Sequence, residues 1–402
     1  MLSYQYIARN PANGQKVSSN VEAESEQAAA RLIRDEGLVP IEITPVKARL
    51  ANPLSRVSSK DRVLFSRQMS TLINAGLPLV QSLNNVNGQT TNKQFKTIIG
   101  KVIGDVEAGN ALSVAMARYP KVFNQVYISM MAAGEVSGTL DTSLERLANQ
   151  QEKDADIVAK VRGAMVYPAI VVLVMVLVVG FMLIKVLPQV QVLYDGFPGA
   201  TLPLVTRILL GASAILTKFW WVLIIVLVVI SAVFGKWART GPGKEVVDKI
   251  KMRAPLVGPL FMKMYMARFA RTGATLVSSG VPLIQMLEIT GEAVNNIHIE
   301  RTIDKAIEKV KGGKSLADAL DKDPNFLELL PNMLRIGEQS GSIEQMLGKT
   351  ADYYEKEVDN AVRNIQAIIE PVMMVLLGIV AFIIVAAVLL PVYGLAGKSF
   401  TV

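Results

Sequence analysis

Few residues in this chain have the type and spacing to do chemistry. Gly312-Gly313-Lys314-Ser315 contains the Gly-Lys-Ser end of a phosphate-binding loop. The full loop needs a glycine five residues before its second glycine and a strand ahead of it, so that backbone N–H groups cradle phosphate oxygens while the lysine reaches the outer phosphates. Glu308 stands where that glycine would be, and the preceding stretch is helical in pattern, so an inter-helix turn is expected. The chain has no Cys, which removes thiol nucleophiles, disulfides, thiolate zinc sites and iron–sulfur clusters together. Its one His, His298 in NNIHIERTI, lacks the oriented partner a general base requires and is expected to pack or face solvent. No catalytic residue, cofactor site or metal site is assigned.

The sharpest local signal occurs twice, as Gly134-Glu135-x-Ser137-Gly138 and Gly337-Glu338-x-Ser340-Gly341. It has two readings. In the first it is a turn: the glycines take positive φ, the serine caps the next helix and the glutamate accepts hydrogen bonds from exposed backbone N–H groups. In the second the carboxylate is offered to a partner's Lys or Arg, or to a hard cation such as Ca²⁺. One carboxylate cannot fill the ~6 to 8 oxygen ligands of that ion, which puts the turn first. Two acidic clusters, Glu152, Asp154 and Asp156, then Glu355, Glu357 and Asp359, are expected to be solvated helix faces, with a docking surface for a basic partner as the other reading.

These motifs sit in a chain of 402 residues, 51% hydrophobic and 19% charged, whose apolar residues concentrate in three runs. Residues 163–187, 215–237 and 371–393 are expected to cross a membrane as helices, each being close to the ~20 residues that span a ~30 Å hydrocarbon core. Pro371 is expected in the first turn of the third span. None of the apolar stretches holds an ionisable residue, so an ion pathway or coupled transport through them is not expected. The formal charge of +8 collects beside the spans, where anionic headgroups attract it, rather than marking a nucleic-acid partner. Arg146, Lys153, Lys160 and Arg162 precede span one, and Lys236, Arg239, Lys244, Lys249, Lys251 and Arg253 follow span two. By the positive-inside rule the N-terminus and residues 238–370 are expected to be cytoplasmic, the 188–214 loop and the 394–402 tail external.

The chain also repeats itself. LFSRQMSTLINAGLPLVQSL from Leu64 matches RFARTGATLVSSGVPLIQML from Arg268, pairing Arg67 with Arg271, Gly76 with Gly280 and Pro78 with Pro282. The spacing holds through Pro120 and Pro324, slips by one residue before the Gly-Glu-x-Ser-Gly motifs, and continues to Pro168 and Pro371. Gly, Pro, Glu and Ser would not stay in step by hydrophobic coincidence, so residues 57–162 and 238–370 are expected to be duplicated helical bundles. Gly76 and Gly280 read as helix stops, Pro78 and Pro282 as helix starts. Ser342 and Gln345 have capping-box spacing at the start of a final helix that runs into span three. Residues 1–56 alternate instead, around an Asn13-Gly14 turn signal, and read as a small ββαβ module.

The duplicated Gly-x-Pro turns, the duplicated Gly-Glu-x-Ser-Gly turns, Tyr167-Pro168 and Glu370-Pro371, and the order module, bundle, two spans, bundle, span together resemble the type II secretion protein F family, which includes inner-membrane platform proteins of type IV pili. The resemblance implies a mainly α, polytopic, non-enzymatic platform without cofactors. It implies as partners a hexameric cytoplasmic assembly ATPase, prepilin or pseudopilin subunits, inner-membrane alignment-complex proteins, membrane lipid and further copies of itself, and no nucleic acid.

Overall fold

The computed structural model describes residues 2–9, 16–23, 26–35, 37, 39–45, 57–189, 192, 204–255 and 257–399. The expected Asn13-Gly14 turn and the external tail's end lie outside them. Two units are distinguished. In the N-terminal one, β1 (Leu2–Arg9) is the centre of a three-stranded antiparallel sheet, flanked by β2 (Lys16–Ala23) and β3 (Val39–Pro45). Leu2 faces Ala23, and a bulge at Ile7/Ala8 shifts the register against β3. Helix α1 (Glu26–Asp35) covers the sheet where Ala23, Ala28 and Ile43 pack together.

The second unit holds the duplication. Its first bundle comprises α2 (Ser59–Asn74), α3 (Leu79–Gln89), α4 (Lys93–Glu107), α5 (Leu112–Ala117), α6 (Gln125–Ser137) and α7 (Leu140–Ala164), and α8 (Val166–Phe181) continues into the first span through a π turn at Met182–Val186. Helices α9 (Leu204–Lys218), α10 (Trp220–Trp237) and α11 (Gly241–Arg253) connect to the second bundle. That bundle repeats the plan as α12 (Gly258–Ser278), α13 (Leu283–Val294), α14 (Ile297–Lys311), α15 (Leu316–Leu320), α16 (Leu329–Ser340) and α17 (Ile343–Ser399). Among the described residues three helices are long and apolar enough to cross a membrane, within Leu140–Gln189, Trp220–Trp237 and Ile343–Leu389.

The cores match as the sequences do. Phe65 packs on Phe123 with ring centroids 5.9 Å apart, and their counterparts Phe269 and Phe326 meet edge to face at 5.4 Å. The one-residue slip falls in the turn between the fourth and fifth helices of each repeat: Pro120-Lys121-Val122-Phe123 becomes Pro324-Asn325-Phe326. Lys322 adopts φ 58° just before this shorter turn. Gly76 and Gly280 hold φ of 82° and 81°, the left-handed stops that let Pro78 and Pro282 precede the next helix.

Three expectations change. The segment 188–214 is not all loop: α9 begins at Leu204, and Thr206 and Ser213 are buried against span one and α17. Ser213 Oγ donates to the Leu183 carbonyl in the π turn, satisfying a group that the wider helical turn redirects. Span two does not reach back to residue 215, because Phe219, at φ −121°, breaks the helix between the bulky Phe219-Trp220-Trp221 side chains and α9. Pro371 is not in a first turn: α17 runs unbroken past it, so its missing N–H removes one bond to the Ala367 carbonyl inside a helix. Pro168, by contrast, does sit in the first turn of α8.

The acidic clusters are not simply solvated faces either. Arg67 reaches from α2 to Glu152 on α7 with Nε–Oε1 2.6 Å and to Asn149 at 2.6 Å; Arg271 reaches from α12 to Glu355 on α17 at 2.7 Å and to Asp352 at 2.5 Å. Between repeats, Lys160 bonds Asp359 at 3.0 Å, Arg268 lies 3.6 Å from Asp154, and Gln150 Nε2 donates to Thr272 at 2.8 Å. Beneath these bonds Ile157, Ala164, Leu260, Val358 and Val362 form an apolar seam of α7, α12 and α17.

The two equivalent arginines are unequally buried, Arg271 at 22% exposure with Glu355 at 13%, Arg67 at 36% with Glu152 at 42%. Arg67→Ala is therefore expected to cost under ~1 kcal/mol, as exposed pairs do. Arg271→Ala leaves the mostly buried Glu355 carboxylate with only Lys153, 3.6 Å away, and is expected to cost ~1–3 kcal/mol. Thermal unfolding of the two detergent-solubilised variants compares them. Burial pushes the Asp154 carboxyl up, against the pull of Arg268, whereas its bond from Arg67 holds Glu152 down. The Asp154 proton is held more tightly folded than unfolded, and that contribution is lost as pH rises through the raised value. Asp154→Asn is expected to keep or raise the neutral-pH midpoint. Glu152→Gln is expected to lower it, with the deficit closing as pH falls through the depressed carboxyl value.

Candidate functional site

The duplicated Gly-Glu-x-Ser-Gly motif ends α6 and α16, one residue before the long helix that leaves each bundle. Gly138 and Gly341 take φ of 70° and 69°, the left-handed C-cap that turns the chain into α7 and α17. Gly134 and Gly337 serve a different purpose. A Cβ on Gly134 would lie 2.6 Å from Ser143 Oγ, and one on Gly337 would lie 3.0 Å from the Ile343 Cα, so both glycines let the next helix cross at close range.

Each glutamate reaches back to cap the short helix that immediately precedes its own. Glu135 accepts from the backbone N–H groups of Leu112 and Ser113, the latter at 3.1 Å, and from the Ser113 hydroxyl at 2.5 Å. Glu338 accepts from Leu316 N at 2.6 Å and Ala317 N at 3.1 Å. Helix α5 has no side-chain cap of its own at Ala111, so Glu135 supplies one from another helix, where the dipole also favours a negative charge. Both oxygens of both carboxylates are thus engaged within the bundle. Among the described residues no group of three or more His, Cys, Asp or Glu could hold a metal ion.

The serines differ from expectation. Ser137 Oγ donates to the Ala133 carbonyl and Ser340 Oγ to the Ile336 carbonyl, each at 2.7 Å, so neither caps the following helix. Their hydroxyls also meet Thr139 and Ser342, each at 2.6 Å, which diverts Ser342 from the capping box expected with Gln345. Among the described residues no hydrogen bond or ion pair joins one motif to the other. Pro78, Pro282, Pro168 and Pro371 lie in other turns and helices and do not approach it in sequence. In the Gly312-Gly313-Lys314-Ser315 segment, Gly313 turns at φ 87° and Ser315 caps α15 through Asp318 N at 3.1 Å, as an inter-helix turn. His298 Nε2 lies 3.0 Å from the Glu245 carbonyl oxygen, a packing role.

Spacing alone did not reveal that Arg67 and Arg271 are the partners of the acidic clusters. The repeat pairs these arginines and also pairs Glu152 with Glu355, and that joint recurrence was the available signal.

This architecture, two copies of a bundle whose exit helix becomes a span, matches a known family across both copies. The family described as type II secretion system (T2SS), protein F covers residues 65–188 and again 269–391, and its N-terminal domain covers residues 1–44. The chain belongs to the type II secretion system protein F family. It is 39% identical to the type IV pilus assembly protein PilC of Thermus thermophilus over 405 residues, 99% of each chain. It is 33% identical to the PilC of Pseudomonas aeruginosa, over 90% of this chain and 97% of that one, and 33% identical to the type II secretion system protein F of the same organism, over 98% and 99%. Its three apolar helices and this membership fit a multi-pass protein of the inner membrane.

Substitutions separate the motif's parts. Glu338→Ala leaves the two amides at Leu316 and Ala317 without their acceptor and is expected to destabilise the second bundle by ~1–3 kcal/mol per amide that stays dry. Gly337→Ala, which presses on backbone, is expected to lower the unfolding midpoint more than Gly341→Ala, whose left-handed φ costs about 1–2 kcal/mol but meets no atom within 4 Å. The reverse order in thermal unfolding would show that the helix crossing is not tight.

Proposed function

We propose that this protein is a non-enzymatic inner-membrane platform of a type IV pilus or type II secretion machine, coupling a cytoplasmic assembly ATPase to the insertion of prepilin-like subunits into the fibre. One observation carries the reading beyond family membership: α17 extends for 57 residues from the Gly341 turn through the membrane-length segment. At 1.5 Å per residue that is a rod of roughly 85 Å, so displacement of the bundle by a motor is passed to the span. The spans hold no ionisable residue within their apolar stretches, which supports contact with other helices rather than transport. Basic residues beside the spans support both bundles, the N-terminal module and its terminus being cytoplasmic, with the C-terminus external.

Reporter fusions after Val57 and near Lys311 are expected to read cytoplasmic, and fusions near Gly196 and Lys398 external. The full chain in detergent is expected to retain the assembly ATPase encoded with it, while turning over no ATP itself, with or without Lys314→Ala. A chain that binds no ATPase and assembles fibres indifferently to ATP would instead be a passive scaffold.

A further inference from the structure

Helix α11 wears its polarity inside out. Its exposed residues are Pro242, Val246, Lys249, Ile250 and Arg253, which recur along one helical face, with Val246 43% and Ile250 59% exposed. Its buried acid, Asp248, points the other way, whereas Glu245 keeps 42% of its side chain exposed. Asp248 is 2% exposed and accepts from Lys251 Nζ at 3.1 Å and from Ile297 N at 3.3 Å; Glu245 takes both Nη atoms of Arg301 at 2.8 and 3.1 Å. A helix facing water carries its charges outward and its apolar residues inward. Here two β-branched side chains face out, flanked by Lys249 and Arg253, neither of which has a hydrogen bond or ion pair among the described residues.

Behind these cations lies a cavity of about 810 Å³, lined by Lys249, Arg253, Lys263 and His298 with Met252 and Leu327. Lys263 bonds Glu357 at 2.6 Å, whereas Lys249 acts on Glu245 only through space, so Lys249 and Arg253 keep their N–H donors free of hydrogen bonds among the described residues at its mouth.

Its place in the fold is the second observation. Span two's helix ends at Trp237, and α11 starts at Gly241. After α11 the chain returns toward the same level, because Leu260 belongs to one apolar cluster with Ala164, which ends α7 two residues before the apolar helix α8 begins. Both ends of α11 therefore lie within a turn or two of where spans leave hydrocarbon, and a helix of about 20 Å between them runs along the membrane surface. An apolar face flanked by cations is what binds there.

We propose that α11 is an interfacial helix, Val246 and Ile250 dipping into the headgroup region, and that Lys249 and Arg253 draw the phosphate of an anionic phospholipid into the adjoining cavity. The inference requires that the spans lie in a bilayer and does not depend on coupling to an ATPase.

The absence of Cys allows a clean test on the full chain. Ile250→Cys and Val136→Cys variants, each labelled with an environment-sensitive fluorophore, are reconstituted in phosphatidylglycerol–phosphatidylcholine vesicles containing nitroxide-headgroup lipid. Val136 is 91% exposed and is separated from the span by the length of α7, roughly 37 Å, so it serves as the distant control. The label at 250 is expected to be quenched and the label at 136 not. Native mass spectrometry of the unlabelled protein then titrates phosphatidylglycerol. Lys249→Gln with Arg253→Gln, which breaks no bond within the protein, is expected to weaken its retention roughly 25-fold, about fivefold per cation, and to leave phosphatidylcholine unchanged. An unquenched label at 250 would overturn the interfacial helix. Equal phosphatidylglycerol retention by the double variant, or its displacement by millimolar inorganic phosphate, would overturn the lipid site.

Discussion

The rest of the structure is built on how each exit helix is turned against its own bundle, an orientation that one guanidinium in each repeat sets. Arg67 holds α7 through Glu152, and Arg271 holds α17 through Glu355. Because α7 and α17 are also the helices that reach the membrane, an exit helix that peeled from its bundle would leave the span attached to nothing rigid. The clamps therefore have to lie on the polar stretch of those helices, and they do, about one turn before the apolar seam of Ile157, Leu260 and Val358. The seam supplies non-directional burial; the clamps fix rotation about the helix axis, which burial alone does not.

Glu135 and Glu338 extend the same logic inward. A five- or six-residue helix cannot stabilise itself, since nucleation fixes several residues for few hydrogen bonds. Each glutamate satisfies the first amides of such a helix from a distance of 21–23 residues in sequence. The short helix, the Gly-capped turn and the exit helix are thereby one cooperative piece, and the turn cannot change without releasing the amides.

Much of this was legible in the residues. The repeat register located the turns at Gly76, Gly280 and the two Gly-Glu-x-Ser-Gly motifs. There φ > 0 at Gly76, Gly138, Gly280 and Gly341 follows from glycine standing where a helix must stop, although Gly134 and Gly337, expected at positive φ too, stay helical. The glutamate's role as an acceptor for exposed amides followed from its place beside a turn, though not which amides. What stayed hidden were the pairings that depend on how helices rotate against one another: Arg67 with Glu152, Lys160 with Asp359, Gln150 with Thr272. Helical periodicity places a charge on a face, and only packing decides whether that face meets water or a neighbour. Helix α9 was missed for a related reason. Its Thr206 and Ser213 fell in the segment read as loop, yet Ser213, like Thr217, turns its hydroxyl to a backbone carbonyl, which makes it tolerable in an apolar setting.

The equivalent prolines show how one local difference alters a duplicated design. Pro168 and Pro371 occupy the same repeat position, yet a break precedes the first at Met165, with φ −87° and ψ −8°, while α17 passes the second without one. Five residues before each proline stand Gly163 and Gln366. Glycine lowers helix stability by about 1 kcal/mol relative to alanine and glutamine by far less, so in the first repeat the chain yields ahead of the proline and the ring falls harmlessly in a new first turn. In the second repeat nothing upstream yields, and the helix carries the proline internally at the loss of one bond to Ala367. The two bundles are thus joined to their spans differently, one through a joint at Met165 and one through an uninterrupted helix. A displacement common to both bundles would then tilt span one relative to span three, and the apolar space between α8 and α17, about 280 Å³ bounded by Val174, Val178, Val380 and Ile384, is where that tilt would be felt.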